Sequence, residues 1–334
     1  MPPFVSIIVP CYNEETTIGL LLNAILAQSY PRAQLEVIIA DGHSQDNSVG
    51  VIKDFQSRHG DLAIRVVENR ERSIPTGLNL AMTEARGDIF VRLDAHSMPI
   101  PEYVTLCVQA LRDGKGSNVG GVWIIEPGAK TWIADAIAAA AAHPLGVGDA
   151  LYRLNSTAGP VDTVPFGAFR RELLEKIGNF DESLLSNEDY EFNTRIRRSG
   201  GIVWLEPHIR STYVARATLW ELARQYWRYG YWKYKMLRRY PDTLRWRQAL
   251  PPLFVFSILA LGILSIFSSL GRQILAAEIL AYLVILFLAG LALSIHKRRA
   301  PLMPGLVLAI VTMHLFWGSG FLWSFITTPV EHHV

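Results

Sequence analysis

The stretch VSIIVPCYNEE, residues 5–15, joins a run of β-branched and apolar residues to a cluster of polar ones. Valine and isoleucine favour β-strands, and the polar residues that follow Pro10 end the apolar run. Residues 4–10 are therefore predicted to form a strand with the polar cluster at its carboxyl end. A strand followed by a polar cluster recurs along the first 126 residues, and this recurrence predicts the fold.

Short β-rich runs alternate with helical patterns in this region, which predicts a Rossmann-like, doubly wound and mostly parallel α/β sheet. Ligands bind such sheets at the carboxyl ends of the strands, where four polar clusters occur here: PCYNEE, DGHSQDNS, NRER and DAH. The predicted strands are 4–10, 35–41, 64–68, 89–95 and 119–126, and the predicted helices are 16–28, 47–59, 74–85 and 101–113.

The next part of the chain is more irregular. It contains an alanine-rich helix pattern over 131–143, a glycine-containing loop over 144–153 and a strand-like run over 163–171. A further helix is predicted within 186–201, with Asn187 as its cap, because carboxylates such as those that follow it suit the first turn of a helix. Residues 1–215 are accordingly predicted to form one catalytic domain.

Three long apolar runs follow, at 252–270, 274–295 and 302–326. Each reaches the roughly 20 residues that a helix needs to cross the hydrocarbon core of a bilayer. Residues 250–328 are therefore predicted to be a transmembrane region. The alternative, three buried helices of a soluble protein, does not explain the basic residues that flank the runs.

Those basic residues predict the orientation. Arginines 239, 245 and 247 precede the first run, and HKRR (296–299) separates the second from the third. By the positive-inside rule, residues 1–249 lie in the cytosol and the C-terminus lies outside. Residues 216–249 mix Arg and Lys with Trp and Tyr, which is typical of an amphipathic segment that contacts membrane lipids. A nucleic-acid site is the alternative, but the adjoining spans explain the same residues, so no nucleic-acid partner is expected. Cys11 and Cys107 are expected to be free thiols, and no signal peptide is predicted.

Five motifs carry a resemblance to a known family: VSIIVPCYNEE, IIADGHSQDNS, RLDAHSMP, GAFRRELLEKIGNFDE and NEDYEFNTRIRRSG. Their order and approximate spacing resemble those of the family 2 glycosyltransferases of the GT-A fold. The DAH triplet, the GVG loop and the C-terminal membrane region are most similar to the succinoglycan-type exopolysaccharide β-glucosyltransferases. The resemblance implies a bacterial or archaeal cytoplasmic-membrane enzyme that moves a sugar from a nucleotide-sugar donor, such as UDP-glucose, to a polyprenyl-diphosphate-linked saccharide.

The resemblance also implies which residues bind the donor. Pro10, Tyr12 and Glu14 would line the nucleotide pocket, Asp41 would contact the edge of the base, and Arg72 would reach the donor phosphates. Two alternatives stay open, since Tyr12 can also be a packing aromatic and Asp41 a turn residue. The donor sugar, the acceptor and the oligomeric state are left open by these motifs.

Asp94 and His96 resemble the metal motif of the family, with His96 in place of the second carboxylate. Through the ion, Asp94 would also belong to the donor site. Neutral imidazole suits Mn²⁺ better than Mg²⁺, so Mn²⁺ is the expected ion. On an extended strand, residues i and i+2 share a face, which predicts that both side chains reach the same ion. A purely structural His96 is the alternative.

Asp189 resembles the catalytic base of the family, with Glu188 beside it as an orienting or acceptor-contacting group. A single displacement with one base implies inversion at the sugar carbon. In RQYWRYG, Gln225 and Arg228 have the spacing of the Gln-x-x-Arg-Trp motif of processive synthases, which holds the acceptor end and the donor diphosphate, but Tyr229 replaces the Trp. By this resemblance Gln225 and Arg228 would belong to the donor site. Addition of one sugar per event is therefore expected. The alternatives are an interfacial anchor for these two residues, a processive synthase, and an inactive structural subunit of an assembly complex.

Overall fold

The computed structural model describes residues 2–154 and 157–328. Their contacts divide the chain into two compact units. The sheet unit comprises Met1–Ile124 and Leu151–Tyr213, and the helical unit comprises Ile125–Ala150 and Val214–Val334. The structure thus differs from the single domain predicted over 1–215, because residues 125–150 group with the C-terminal helices.

Nine strands lie in the described part of the chain. They form one sheet of order β3-β2-β1-β4-β8-β6-β9-β5, with β7 paired to β9. The strands are β1 (Val5–Cys11), β2 (Leu35–Asp41), β3 (Ala63–Glu68), β4 (Ile89–Arg92), β5 (Met98–Pro99), β6 (Asn118–Glu126), β7 (Gly159–Pro160), β8 (Ala168–Arg170) and β9 (Val203–Val214).

The four strands β3, β2, β1 and β4 are parallel, as predicted for a doubly wound sheet. Beyond β4 the sheet is no longer parallel, since β8 is antiparallel to both β4 and β6. The α/β prediction is confirmed, and the complete sheet is mixed.

The described helices follow in chain order. They are α1 (Ile18–Leu26), α2 (Ser48–Arg58), α3 (Ile74–Glu84), α4 (Tyr103–Arg112), α5 (Trp132–Ala141), α6 (Pro144–Val147), α7 (Leu173–Ile177), α8 (Glu188–Arg198), α9 (Leu219–Arg239), α10 (Trp246–Phe267), α11 (Ser269–Lys297) and α12 (Leu302–Thr327). Short 3₁₀ helices lie at Arg32–Gln34, Leu151–Arg153 and Pro241–Thr243.

The central strands are apolar on both faces because both faces are covered. In β1, Ile7 and Val9 belong to one hydrophobic cluster, and Ile8 belongs to the other. Successive side chains of a strand point to opposite faces, so one strand contributes to both cores. The first cluster includes residues of α1, α2 and α4, and the second includes residues of α3 and α8.

The strands β4 and β9 differ from what the sequence predicted, for local reasons. β4 ends at Arg92, three residues earlier than predicted, because the chain turns at Asp94. β9, a strand of 12 residues, was not predicted, since Pro207 and several charged residues interrupt its apolar alternation. In the structure, β9 pairs with β5 and β7 at the far side of the sheet.

Three described helices of the helical unit, α10, α11 and α12, are long and apolar enough to cross a membrane. The predicted number of long apolar segments is thus confirmed, with shifted boundaries. The break between α10 and α11 falls at Ser268, whose side chain caps α11 by accepting from the Gly271 amide at 3.3 Å. The predicted external C-terminus, including Glu331, lies outside the described residues.

Small residues allow close packing inside the helical unit. A Cβ atom on Gly230 of α9 would collide with the carbonyl oxygen of Trp317 on α12, and Gly305 of α12 likewise faces Ala136 of α5. Glycine is required where two helix backbones approach this closely. The alanine-rich α5 therefore packs on α12, and this contact explains why residues 125–150 belong to the helical unit.

The predicted interfacial segment corresponds to α9, the following 3₁₀ helix and the start of α10. α9 begins with a capping box between Thr218 and Glu221. On its surface, the Lys235 ammonium lies 4.9 Å from the Tyr231 ring and 4.6 Å from the Trp232 ring. An amphipathic helix with paired cations and aromatic rings suits the headgroup layer of a membrane.

Candidate active site

The polar clusters that follow β1, β2 and β3 meet at one edge of the sheet. Cys11, the last residue of β1, is in register with Asp41 of β2, and Asp41 is in register with Glu68 of β3. The parallel strands therefore end side by side. This is the edge at which ligands of open α/β sheets bind.

Hydrogen bonds connect the first two loops at this edge. The Asn13 amide donates to Ser44 Oγ at 2.9 Å, and the Glu14 amide donates to Ser48 Oγ at 2.7 Å. Asp41 is buried, and its carboxylate accepts from the Ser44 hydroxyl at 2.6 Å and from the Ser44 amide at 3.1 Å. Asp41 thus orders the loop, whatever it contacts in a bound donor.

Two of the residues assigned to the donor lie against each other at the surface. Tyr12 is 42% exposed, so it is not a core aromatic. The Arg72 guanidinium lies 5.8 Å from the centre of the Tyr12 ring. Arg72 has a φ of +54°, a backbone conformation that is uncommon outside glycine. Pro10, next to the end of β1, is partly buried.

Residues 94–97 form a turn and not the extended strand end that was predicted. The Ser97 amide and hydroxyl both donate to the Asp94 carbonyl, at 2.9 and 2.7 Å. The prediction that Asp94 and His96 share one face of a strand is therefore wrong. Asp94 pairs with Arg92, and His96 pairs with Glu14.

His96 pairs with Glu14, one of the residues assigned to the nucleotide pocket. The distance from His96 Nδ1 to Glu14 Oε1 is 2.9 Å. The other carboxylate oxygen of Glu14 accepts from the Thr17 hydroxyl. The loop after β1 thus contacts the loop after β4 through a carboxylate and an imidazole.

Arg92 is the central charge of the site, although no role was predicted for it. It is buried at the end of β4, and its Nη2 lies 3.2 Å from Asp94 Oδ1 and 2.8 Å from Glu188 Oε1. Burial lowers the pKa of Arg92, but Asp94, Glu188 and Asp189 outweigh burial and hold the pKa above its ordinary value. The signal for it in the sequence was a charged residue directly after the apolar run 89–91.

Glu188 and Asp189 begin α8. Asn187 precedes them with a φ of +65° and makes no side-chain capping bond; Asp189 Oδ1 instead accepts from the Tyr190 amide at 2.7 Å. Glu188 is buried against Arg92, whereas Asp189 is partly exposed. Burial, together with the charge of Glu188, raises the pKa of Asp189 to about 6, against the opposing effect of Arg92. Asp189 is therefore suited to take up a proton near neutral pH.

Asp94 and His96 could hold a divalent cation whose other ligands come from a substrate. Both Arg92 contacts to Asp94 use Oδ1, which leaves Oδ2 for a cation. His96 presents Nδ1 to a carboxylate, an arrangement that is common for metal-binding histidines, with Nε2 as the ligand atom. No cluster of three or more His, Cys, Asp or Glu side chains within 2–154 and 157–328 is placed to hold a metal alone.

Gln225 and Arg228 lie on α9, in the helical unit. Gln225 Nε2 donates to the Tyr229 hydroxyl at 2.9 Å. This bond involves the residue that departs from the Gln-x-x-Arg-Trp pattern, since a tryptophan at 229 has no oxygen to accept it.

Comparison with known proteins identifies the family. The model of glycosyl transferase family 2 matches residues 6–178. A dolichyl N-acetyl-α-D-glucosaminyl phosphate 3-β-D-2,3-diacetamido-2,3-dideoxy-β-D-glucuronosyltransferase from Methanococcus voltae is 26% identical over 324 residues, covering 95% of this chain and 96% of that protein. The succinoglycan biosynthesis protein ExoA of Rhizobium meliloti is 28% identical over 322 residues, covering 94% and 93%.

A solved structure shares the fold over nearly the whole chain. The mannosyltransferase PcManGT from Pyrobaculum calidifontis, in complex with GDP-Man and Mn²⁺, superposes with a TM-score of 0.69 at 22% identity, covering 98% of this chain and 89% of that one. The GT-A fold expected from the sequence is confirmed. Because the family model matches more than half of the chain, the chain belongs to glycosyl transferase family 2.

Proposed function

We propose that the chain is an inverting, metal-dependent glycosyltransferase that transfers a sugar from a nucleotide-sugar donor to a polyprenyl-phosphate-linked saccharide. The observation that carries the mechanism is the cluster of Arg92, Asp94, Glu188 and Asp189. It brings a partly exposed carboxylate with a pKa of about 6 close to the carboxylate of the candidate metal motif.

Asp189 is the proposed general base. It accepts the proton of the acceptor hydroxyl as that oxygen forms a bond to the sugar carbon and the nucleoside diphosphate leaves from the opposite side. Glu188 and Arg92 hold the start of α8 against the end of β4, so the base stays in place during the reaction. One displacement of this kind inverts the configuration at the sugar carbon.

Asp94 and His96 would hold Mn²⁺, and the bound ion would neutralise the charge that develops on the leaving diphosphate. Glu14 supports this assignment, because it fixes the imidazole of His96 through Nδ1. Tyr12, directly after β1, and Arg72 are exposed and lie against each other, and they are the proposed contacts to the donor base and phosphates. UDP is the proposed nucleotide, on the resemblance to the exopolysaccharide enzymes.

A lipid-linked acceptor is supported by the relatives and by the helical unit. The name of the Methanococcus voltae relative describes a dolichyl phosphate-linked N-acetylglucosamine acceptor. Helices long and apolar enough to cross a membrane would bring the enzyme to such a lipid. The proposed arrangement has the sheet unit in the cytosol and the C-terminus outside the cytoplasmic membrane.

The test uses the full-length protein in lipid nanodiscs with Mn²⁺ and a panel of nucleotide sugars. Acceptors are polyprenyl monophosphate and diphosphate carrying one or two sugars. The expected product is the acceptor extended by a single sugar, with inverted anomeric configuration by NMR. Retained configuration would overturn the mechanism, and long polymer without a lipid-linked saccharide would identify a processive synthase instead.

A further inference from the structure

A small cavity lies behind the proposed base. It offers about 10 Å³ to the centre of a water molecule, and its polar lining consists of Arg92, Asn118, Asp189 and Asn193. Phenylalanine side chains and Val164 form the remaining wall. A volume of roughly 10–15 Å³ by this measure holds one water molecule, provided that the site offers two to four polar partners.

Two polar atoms of the lining have no hydrogen-bond partner. They are Arg92 Nη1, a donor, and Asn118 Oδ1, an acceptor. Both residues are at least 96% buried. Burying a polar atom without a hydrogen-bond partner is unfavourable, so a molecule that serves both atoms would be retained.

The orientation of the Asn118 amide is fixed by a chain of hydrogen bonds. Asn193 Nδ2 donates to Thr163 Oγ1 at 2.9 Å and to the Val164 carbonyl at 3.4 Å, and a carbonyl can only accept. Asn193 Oδ1 must then accept from Asn118 Nδ2, at 2.7 Å. Asn118 Oδ1 is thereby assigned as the unsatisfied atom.

We propose that the cavity binds one internal water, which accepts a hydrogen bond from Arg92 Nη1 and donates to Asn118 Oδ1 and to the Asp189 carboxylate. Water is the ligand because a single molecule of this size both accepts and donates. Asn118 is then a positioning residue, acting on the base through the water. This inference rests on the proposed function only in naming Asp189 as the base.

The direct test is a crystallographic or electron-microscopy map of the full-length protein at a resolution that shows ordered waters. A peak within hydrogen-bonding distance of Arg92 Nη1, Asn118 Oδ1 and an Asp189 oxygen is expected. An empty cavity in a map that resolves other buried waters would overturn the proposal. This readout does not depend on whether Asp189 is catalytic.

The functional test compares Asn118→Leu with Asn118→Ser. Leucine removes the acceptor and fills the space, so kcat should fall about tenfold, the usual effect of one hydrogen bond, while the KM values of donor and acceptor change less than about twofold. Serine leaves room for water and a hydroxyl that accepts, so it should restore most of the rate. An unchanged kcat in the leucine variant, or equal losses in both variants, would refute the positioning role.

Gln28→Met provides the matched control. Gln28 is buried in the same unit and bonded to the backbone of residues 24, 100 and 104, away from the cavity. The Gln28→Met substitution should lower the thermal stability of the protein and leave kcat unchanged. Because Asp189→Asn tests the base by itself, a near wild-type rate in that variant would reject the proposed function, while the density map would still decide on the water.

Discussion

Arg92 Nη2 donates a hydrogen bond of 2.8 Å to Glu188 Oε1, which joins the end of β4 to the first residue of α8. The two residues are 96 positions apart in the chain. The same guanidinium contacts Asp94, so one buried cation connects the candidate metal motif to the candidate base. The arrangement of the candidate site therefore depends on Arg92, which begins the motif RLDAHSMP but was given no role in it.

Arg92→Met should impair both stability and activity. Removing one partner of a buried ion pair costs about 3–5 kcal/mol, because Glu188 is left buried without its counter-charge. Misplacement of Asp189 by about 1 Å can lower kcat about a hundredfold. Chemical unfolding and initial rates measure the two effects. The matched control is Arg58→Met, which removes an exposed ion pair with Asp54. It should change the free energy of unfolding and the initial rate only slightly.

Asp189→Asn should lower kcat by about 10²–10⁴-fold, because the amide cannot accept the proton of the acceptor hydroxyl. Donor binding, measured by calorimetry with Mn²⁺ present, should be nearly unchanged. Asp54→Asn, an exposed carboxylate on α2, is the control and should retain full activity. If the Asp189 variant keeps a near wild-type rate, the base lies elsewhere.

The rate should rise with pH through a midpoint at or below about 6. The raised pKa means that Asp189 binds a proton as the pH falls to about 6, and the protonated form cannot act as a base. A bound cation favours the ionised carboxylate and can only move the midpoint downward. A pH profile of kcat at saturating substrates tests this, and a midpoint above about 7 would contradict the prediction.

Chelation should abolish transfer, and Mn²⁺ should restore it better than Mg²⁺ because imidazole suits the softer ion. His96→Asp restores two carboxylates and should shift the ratio of Mn²⁺- to Mg²⁺-supported rates toward Mg²⁺. His208→Asp, at an exposed histidine of β9, should leave the ratio as it is. Equal or better turnover of the wild type with Mg²⁺ at matched saturation would contradict the assignment.

Glu36→Gln should destabilise the sheet unit by about 1–3 kcal/mol, because the buried Ser6 hydroxyl and the Arg86 amide lose their charged acceptor. Glu36 accepts from the Ser6 hydroxyl at 2.6 Å and from the Arg86 amide at 2.6 Å. Burial raises the pKa of Glu36, but these bonds and the charges of Arg86 and Arg65 outweigh it and hold the pKa below its ordinary value.

The pH dependence of this contribution follows from the sign of the shift. Since the folded-state pKa is the lower one, the stabilisation is complete above the unfolded-state pKa and is lost as the pH falls through the folded-state pKa. The free energies of unfolding of wild type and variant, measured in urea, should therefore converge at acid pH. A difference in stability that stays constant down to the acid limit would refute this account.

The alternation of strands and helices in the first half of the chain was readable because the central parallel strands β1 and β2 are buried almost throughout and are mostly apolar. The same local signal failed for β9, whose Pro207 and charged residues are accommodated by pairing with β5 and β7. Sequence motifs pointed to Asp94, His96, Glu188 and Asp189 as candidate site residues. They did not predict the pairs Arg92–Asp94 and Glu14–His96, because the turn at 94–97 depends on where β4 ends.

The sequence by itself determined the family, the parallel half of the sheet and the three long apolar helices, since each of these is encoded in residues that are close together in the chain. Only the tertiary structure decided that Arg92 connects Asp94 to Glu188, and that Asn118 and Asn193 lie behind Asp189. The physical reason is that the charges and dipoles that set the pKa of Asp189 act on it only at short distances. Those groups are brought together by folding, from positions that no local pattern relates.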